Sequence, residues 1–430
     1  MAKSMDAQQA AALIKPDDKV SVGLGAGQPA ALLQAMGQRD DWQDLQILGA
    51  LLTVGSDVYA KPGVRIVSGF LGPVERWLKT TDAVVDFIPA DFRRFGPLLA
   101  KEQPRVMTTM VAPPDDQGWC SLSLHAGGTV AELHAAADDP DRLVIAEASP
   151  NYPRTYGLPP HHRHALHMDE IDVLIESEST PIPLPASELS DEDHAIAKHA
   201  LQFIEPESTL QTGIGSVPSA IAELLAQEDG GAYGVHSEMF TDGLMALHKA
   251  GKVANHKGIH NRVSITTFAL GSQDLYAWLH ENHEVAFLPV EQVNDTYVIA
   301  QNHKMVTING AIAIDIHGQV VADTIDGDQF SGIGGAEDFV AGPAYGLDGR
   351  SLLCTHATAT RDGQLRSRIV PRLPEGAVIT TPRHQIDVVV TEYGAVELEG
   401  LTVRERGEAL AQVAHPDFRD ELLAAAREIR

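Results

Sequence analysis

Short continuous apolar runs alternate with Ala-rich stretches along most of the chain. The runs at 19–22, 45–48, 64–67, 83–88, 142–146 and 173–175 are dominated by Val, Ile, Leu and Ala. Continuous apolar runs of this length predict strands buried on both faces of a mostly parallel sheet. The Ala-rich segments between them, such as 29–36 and 129–137, read as helices. Strand and helix in alternation over the whole length define an α/β protein.

The pattern breaks near the middle. Residues 176–193 read ESESTPIPLPASELSDED, with prolines at 181, 183 and 185 and then an acidic run. Proline interrupts regular structure and the polar run has nothing to pack with. A boundary there divides the chain into two expected domains, 1–186 and 187–430. The halves echo each other: KVSVGLGAGQPAALLQAM (19–36) and TLQTGIGSVPSAIAELL (209–225) both run strand, G-x-G, small polar loop, proline, apolar helix. Such an arrangement is common in α/β folds, but together with the midpoint linker it favours tandem duplication.

Composition narrows the class. The 430 residues fit two or three domains. Apolar residues make up 44% and charged residues 21%, ordinary for a globular protein. Net charge is −27, split as −9 before residue 187 and −18 after it. Such acidity argues against sequence-independent binding to nucleic acid or to an anionic membrane, both of which need a basic patch. Aromatics, at 5%, are too sparse for a stacking platform. Cys120 and Cys354 stand far apart and read as reduced thiols. The N-terminal residues lack a leader pattern, and no run approaches the roughly 18 apolar residues of a membrane span. The expectation is a cytoplasmic protein.

Three glycine-rich loops bear on chemistry: 23–27, 213–217 and 331–336. None reads as a dinucleotide fingerprint or a Walker loop. Each could present backbone amides to a phosphate or an oxyanion ahead of a helix, or could be a tight turn packing helix on strand. The first looks most like a turn. The third, SGIGGA, places Gly334 and Gly335 side by side with no side chains to shield their amides. Glu238 lies between a strand-like segment at 232–235 and a helix-like one at 243–250, where α/β sheets bind ligands. There it could serve as base, metal ligand or covalent nucleophile, or simply as a carboxylate favoured at a helix start. The cluster His161, His162, His164 and His167 follows Pro159 and Pro160 without metal-ligand spacing and reads as a turn. No metal site and no G-x-S-x-G elbow is expected.

Six segments in order resemble one family. They are VAPPDDQGWCSL (111–122), IAEASPNYPRTYG (145–157), LQTGIGSVPSAI (210–221), GVHSEMFTDG (234–243), SGIGGAEDF (331–339) and VTEYGAVELEGLTVRERGEALAQVAHPDFRDEL (390–422). Together they resemble the acetyl-CoA hydrolase/transferase family of class I coenzyme A transferases, in the branch of the 4-hydroxybutyrate and butyryl-CoA:acetate enzymes. The resemblance implies two tandem α/β domains of the CoA-transferase type with the active site between them. It implies that Glu238 is a nucleophile forming a glutamyl-CoA thioester in a ping-pong exchange of CoA between a short-chain acyl-CoA and a carboxylic acid. The same glutamate could instead serve a short-chain acyl-CoA hydrolase. Gly334 and Gly335 are the implied oxyanion donors. Gly213, Ile214, Gly215, Ser216 and Val217, with Gly335 and Arg361, are the implied CoA contacts. His236 and Asp242 flank the nucleophile. CoA would be substrate rather than a resident cofactor, and the family implies a homodimer or higher homo-oligomer. The chain departs from the pattern at Gly310, where Ser is common, and in its extra histidines beside His167.

Overall fold

The structure, a computed structural model, describes residues 2–185, 188–346 and 348–429. The expected boundary between 186 and 187 lies outside the described residues. The chain forms two compact units. One takes Met1–Pro185 together with Ile265–Val293, the other Ala186–Ser264 together with Asn294–Arg430.

The apolar runs of the first unit form eight parallel strands: β1 Lys3–Met5, β2 Lys19–Ser21, β3 Leu45–Gly49, β4 Val64–Ser68, β5 Val84–Phe87, β6 Val106–Val111, β7 Leu143–Ala148 and β8 Val173–Glu176. Their order is β1-β8-β7-β6-β2-β3-β4-β5. Every residue of β6 is buried. Its neighbours in sequence face opposite cores: Val106 joins Leu32, Leu33 and Met36 of helix α1 (Ala30–Gly37), while Met107 joins Leu133 and Ala136 of helix α2 (Val130–Ala137). Helices on both faces explain why these strands show no polar alternation.

The main sheet of the second unit has six strands: β9 Thr209–Thr212, β10 Gly234–Val235, β11 Met305–Asn309, β12 Arg350–Cys354, β13 Val388–Thr391 and β14 Gly394–Glu397. Their order is β10-β9-β11-β12-β13-β14, all parallel except the closing hairpin β13–β14. Apolar residues of β12 and β13 pack with two C-terminal helices, Val403–Val413 and Pro416–Arg427, through Leu353, Val389, Leu410 and Leu422.

The two sheets repeat one plan. In the first, β2 carries the glycine loop, with β3 on one side and β6, β7, β8 in succession on the other. In the second, β9 carries the loop, with β10 on one side and β11, β12, β13 on the other. The echo between 19–36 and 209–225 lies at corresponding places in these two orders. The expected contiguous halves need one change: Ile265–Val293 belongs to the first unit. Its backbone bonds explain why. Thr267 C=O accepts from Ala126 and Gly127, Phe287 N–H donates to Tyr156 C=O, and Gly271 C=O accepts from Leu184. No proline-rich break marks either end of that segment.

Candidate active site

The chain leaves β10 at its carboxyl end, passes through His236 and Ser237, and enters helix α4 (Asp242–Lys249). Helix α3 (Ser216–Gln227) follows the glycine loop after β9. Glu238 stands in the crossing, beyond the strand end, where an α/β sheet presents its ligand-binding groups. It is partly buried. Ser237 Oγ ties the crossing down by donating to Thr212 C=O (3.1 Å) or Met239 C=O (2.8 Å).

Three groups of the second unit set the state of Glu238. Asn294 Nδ2 donates to its Oε2 at 2.8 Å and to Asp338 Oδ2 at 3.1 Å. Both acceptors are carboxylates, so the amide is fixed with nitrogen towards them, and Asn294 Oδ1 is left buried without a partner among the described residues. Gly335 N–H donates to the same Glu238 carboxylate. A Cβ on Gly335 would sit 1.7 Å from Glu238 Oε2 and 2.3 Å from Asn294 Nδ2, so only glycine allows this approach. Gly334, at φ +59°, supplies the left-handed turn that aims the next amide. Asp338 lies in helix α5 (Ala336–Ala341), fully buried.

Burial pushes the Glu238 pKa up to about 7. The bond from Asn294 opposes the rise, the Asp338 charge adds to it, and the Gly335 amide opposes it. The result is a carboxylate more basic than usual, gripped by two N–H donors. Such a group can attack an electrophilic carbonyl, and once acylated its own carbonyl oxygen would meet donors already in place.

The glycine loops take different forms. In the first, Leu24 N–H donates to His125 Nε2 at 3.3 Å, and a Cβ on Gly27 would strike the His125 ring at 2.5 Å. The helix start behind it is occupied by the protein's own carboxylate: Glu147 Oε2 accepts from Ala31 N–H at 2.9 Å and Leu32 N–H at 3.2 Å. This is a packed turn, as expected. The second loop is open. A Cβ on Gly213 would meet nothing within 4 Å, Gly215 stands at φ +125°, and Ile214 is half exposed. Behind it, Ser216 Oγ donates to Asp193 Oδ1 at 2.7 Å, and His356 Nε2 lies 3.1 Å from the same oxygen. Val217 is buried. A ligand there would meet backbone more than side chains.

Other expected residues are placed as follows. Arg361 is on an exposed hairpin (Thr358–Arg361 with Gln364–Ser367), paired with Asp326 rather than with any member of the Glu238 group. A phosphate would have to displace that carboxylate. His236 is buried with its ring 6.2 Å from that of Phe339, and Asp242 opens α4 where the helix dipole favours an acid. Cys120 and Cys354 are buried free thiols. Asn294 and Asp338 are the members that sequence reading did not single out. Asp338 falls inside the SGIGGAEDF segment, whereas Asn294 sits in no motif. Among the described residues no helix is long and apolar enough to cross a membrane.

Comparison with known proteins adds five findings. Residues 271–426 match the model of the acetyl-CoA hydrolase/transferase C-terminal domain. The 4-hydroxybutyrate coenzyme A transferase of Clostridium kluyveri is 34% identical across 98% of this chain and 96% of its own length. The butyryl-CoA:acetate CoA-transferase of Anaerostipes caccae is 31% identical across 99% and 96%. An acetyl-CoA hydrolase of Eremothecium gossypii is more distant, at 24% across 71% and 62%. Among solved structures, RipA from Yersinia pestis superimposes with a TM-score of 0.90, at 31% identity over 99% of this chain and 97% of that one.

Proposed function

The chain belongs to the acetyl-CoA hydrolase/transferase family, and from that premise we propose that it moves coenzyme A between a short-chain acyl-CoA and a carboxylic acid through Glu238. The named transferases cover nearly the whole chain at 31–34% identity, and the hydrolase does not, which favours acyl transfer over hydrolysis. By the same comparison, acetyl-CoA, butyrate and 4-hydroxybutyrate are the first substrates to try. The observation that carries the mechanism is the basic, half-enclosed carboxylate held by Asn294 and Gly335.

The steps follow from that setting. A Glu238 oxygen attacks the thioester carbonyl, the C–S bond breaks, and CoA leaves as thiolate, giving an acyl-glutamyl anhydride. The thiolate attacks the glutamyl carbonyl, the first acid departs as carboxylate, and glutamyl-CoA remains. An incoming carboxylate reverses the sequence, so no net proton is consumed. Each tetrahedral state at the glutamyl carbon places negative charge on the oxygen that Asn294 Nδ2 and the Gly335 amide address. The open loop at 213–217 offers backbone to the CoA moiety, and CoA enters as substrate.

The test is to incubate the protein with acetyl-CoA, with and without butyrate or 4-hydroxybutyrate, and to look for CoA on the Glu238 peptide by mass spectrometry. Acid-dependent exchange with an adduct is expected. Glu238→Gln should lose both together. Loss of acetyl-CoA at the same rate without an acceptor acid would refute the transferase in favour of the hydrolase.

A further inference from the structure

A cation that the Glu238 chemistry leaves unused stands at the same end of the second sheet as the glutamate. Arg368 follows the exposed hairpin that carries Arg361. Its backbone is fixed on both sides: its N–H donates to Ala357 C=O at 2.8 Å, and its C=O accepts from Ile314 N–H at 2.8 Å. The guanidinium reaches the carboxyl ends of two strands. Nη1 donates to Ala311 C=O at 3.1 Å, just beyond β11, and to Thr355 Oγ1 at 3.2 Å, just beyond β12. The open loop after β9 and Glu238 after β10 belong to the same rim, where an α/β sheet takes its ligands.

The protein does not neutralise this charge by direct contact. Both acceptors of Nη1 are neutral oxygens, and among the described residues Arg368 forms no ion pair. Arg350, Arg361 and Arg366 differ, since each pairs with an aspartate. Glu392 attracts Arg368 from further off, while its own Oε2 accepts from Ala357 N–H at 2.8 Å. Asp193 is already held by Ser190, Ser216 and His356.

Two nitrogens of the guanidinium are left over. Nε is buried without a partner, and Nη2, which is not buried, has none either among the described residues. Burial pulls the Arg368 pKa below its ordinary value and Glu392 opposes the fall. A guanidinium stays charged at neutral pH even so. A partly buried charge without a counter-ion is costly, and an anion carried by a ligand would offset that cost. There is room beside it: a Cβ on Gly310, the residue before Ala311, would meet Cys354 C=O at 3.9 Å and nothing closer beyond its chain neighbours.

We propose that Arg368 is an anion anchor of the second unit, whose Nη2 donates to a substrate oxyanion, either a phosphate of CoA or the carboxylate of the free acid. It rests on the transferase reading, which brings both oxyanions to this chain. It places on Arg368 a contact that the family resemblance would place on Arg361.

Heat titrations of the intact protein with CoA, with pantetheine as the phosphate-free control, and separately with butyrate test the idea. They need no chemistry at Glu238, so their outcome is independent of the adduct experiment. With phosphate as the guest, Arg368→Gln should weaken CoA by about tenfold or more, the scale of one lost charge-assisted bond, and leave pantetheine and butyrate as they were. With carboxylate as the guest, butyrate should weaken by that factor and CoA should not. Arg368→Lys keeps the charge and should recover part of the loss; it reports the same pattern in smaller measure if Arg368→Gln does not fold. CoA and butyrate both unaffected, or a loss shared equally by CoA and pantetheine, would each overturn the proposal.

Discussion

Gly335 has no room for even a methyl group, because that carbon would fall 1.7 Å from Glu238 Oε2. Gly335→Ala should therefore fold but reduce CoA exchange by about 100-fold or more, the usual scale for one displaced oxyanion donor; kcat measured at saturating acetyl-CoA checks this. Glu238 itself links catalysis to stability. Folded, it keeps its proton to about pH 7, whereas unfolded it releases it near 4.5. Between those values the folded state binds more protons, so stability falls as pH rises through the window. Glu238→Gln should then melt above the wild type at pH 8 and approach it at pH 4, and a series of thermal scans will show whether the gap closes in that direction. Sequence reading reached Glu238 because it stands at a strand end inside a motif. It missed Asn294 because that residue's partners lie 56 and 44 positions away. Locally, an Asn before a short helix has only the look of a cap.

At the scale of elements, the repeated strand–glycine–helix unit was legible in the chain, and the shared strand order of the two sheets agrees with it. The different fates of the two loops were not legible. The carboxylate that fills the first helix start, Glu147, comes from 116 residues beyond Ala31. The pair gives a direct contrast. Gly27→Ala forces a carbon to 2.5 Å from the His125 ring and should destabilise the protein by about 1–3 kcal/mol, visible in urea melts. Gly213→Ala meets nothing within 4 Å and should leave the melt unchanged. If the open loop receives CoA, it should instead raise the KM for acetyl-CoA, since the added methyl crowds a ligand rather than the protein.

For the whole molecule, the α/β class and the tandem plan follow from pattern, while the allocation of Ile265–Val293 does not, since no change of composition announces either end of it. Acidity excluded nucleic acid early, yet the proposed substrate is itself a polyanion. Binding must then work against an unfavourable overall field of −27. Screening by salt up to about 0.1 M should lower the KM for acetyl-CoA, and a KM that climbs over that range would show that local cations outweigh the field.

The interrupted ownership of the first unit carries a consequence for its biosynthesis. A ribosome delivers Met1–Pro185 first, with all eight strands of the sheet, but the carbonyl of Thr267 and the amide of Phe287 that bond to this unit arrive only after Ala186–Ser264 has been made. The N-terminal unit therefore waits, unfinished, while the start of the second emerges. The first unit is not complete as the chain grows until residue 293 is out, and a cut at the midpoint linker would leave it without Ile265–Val293.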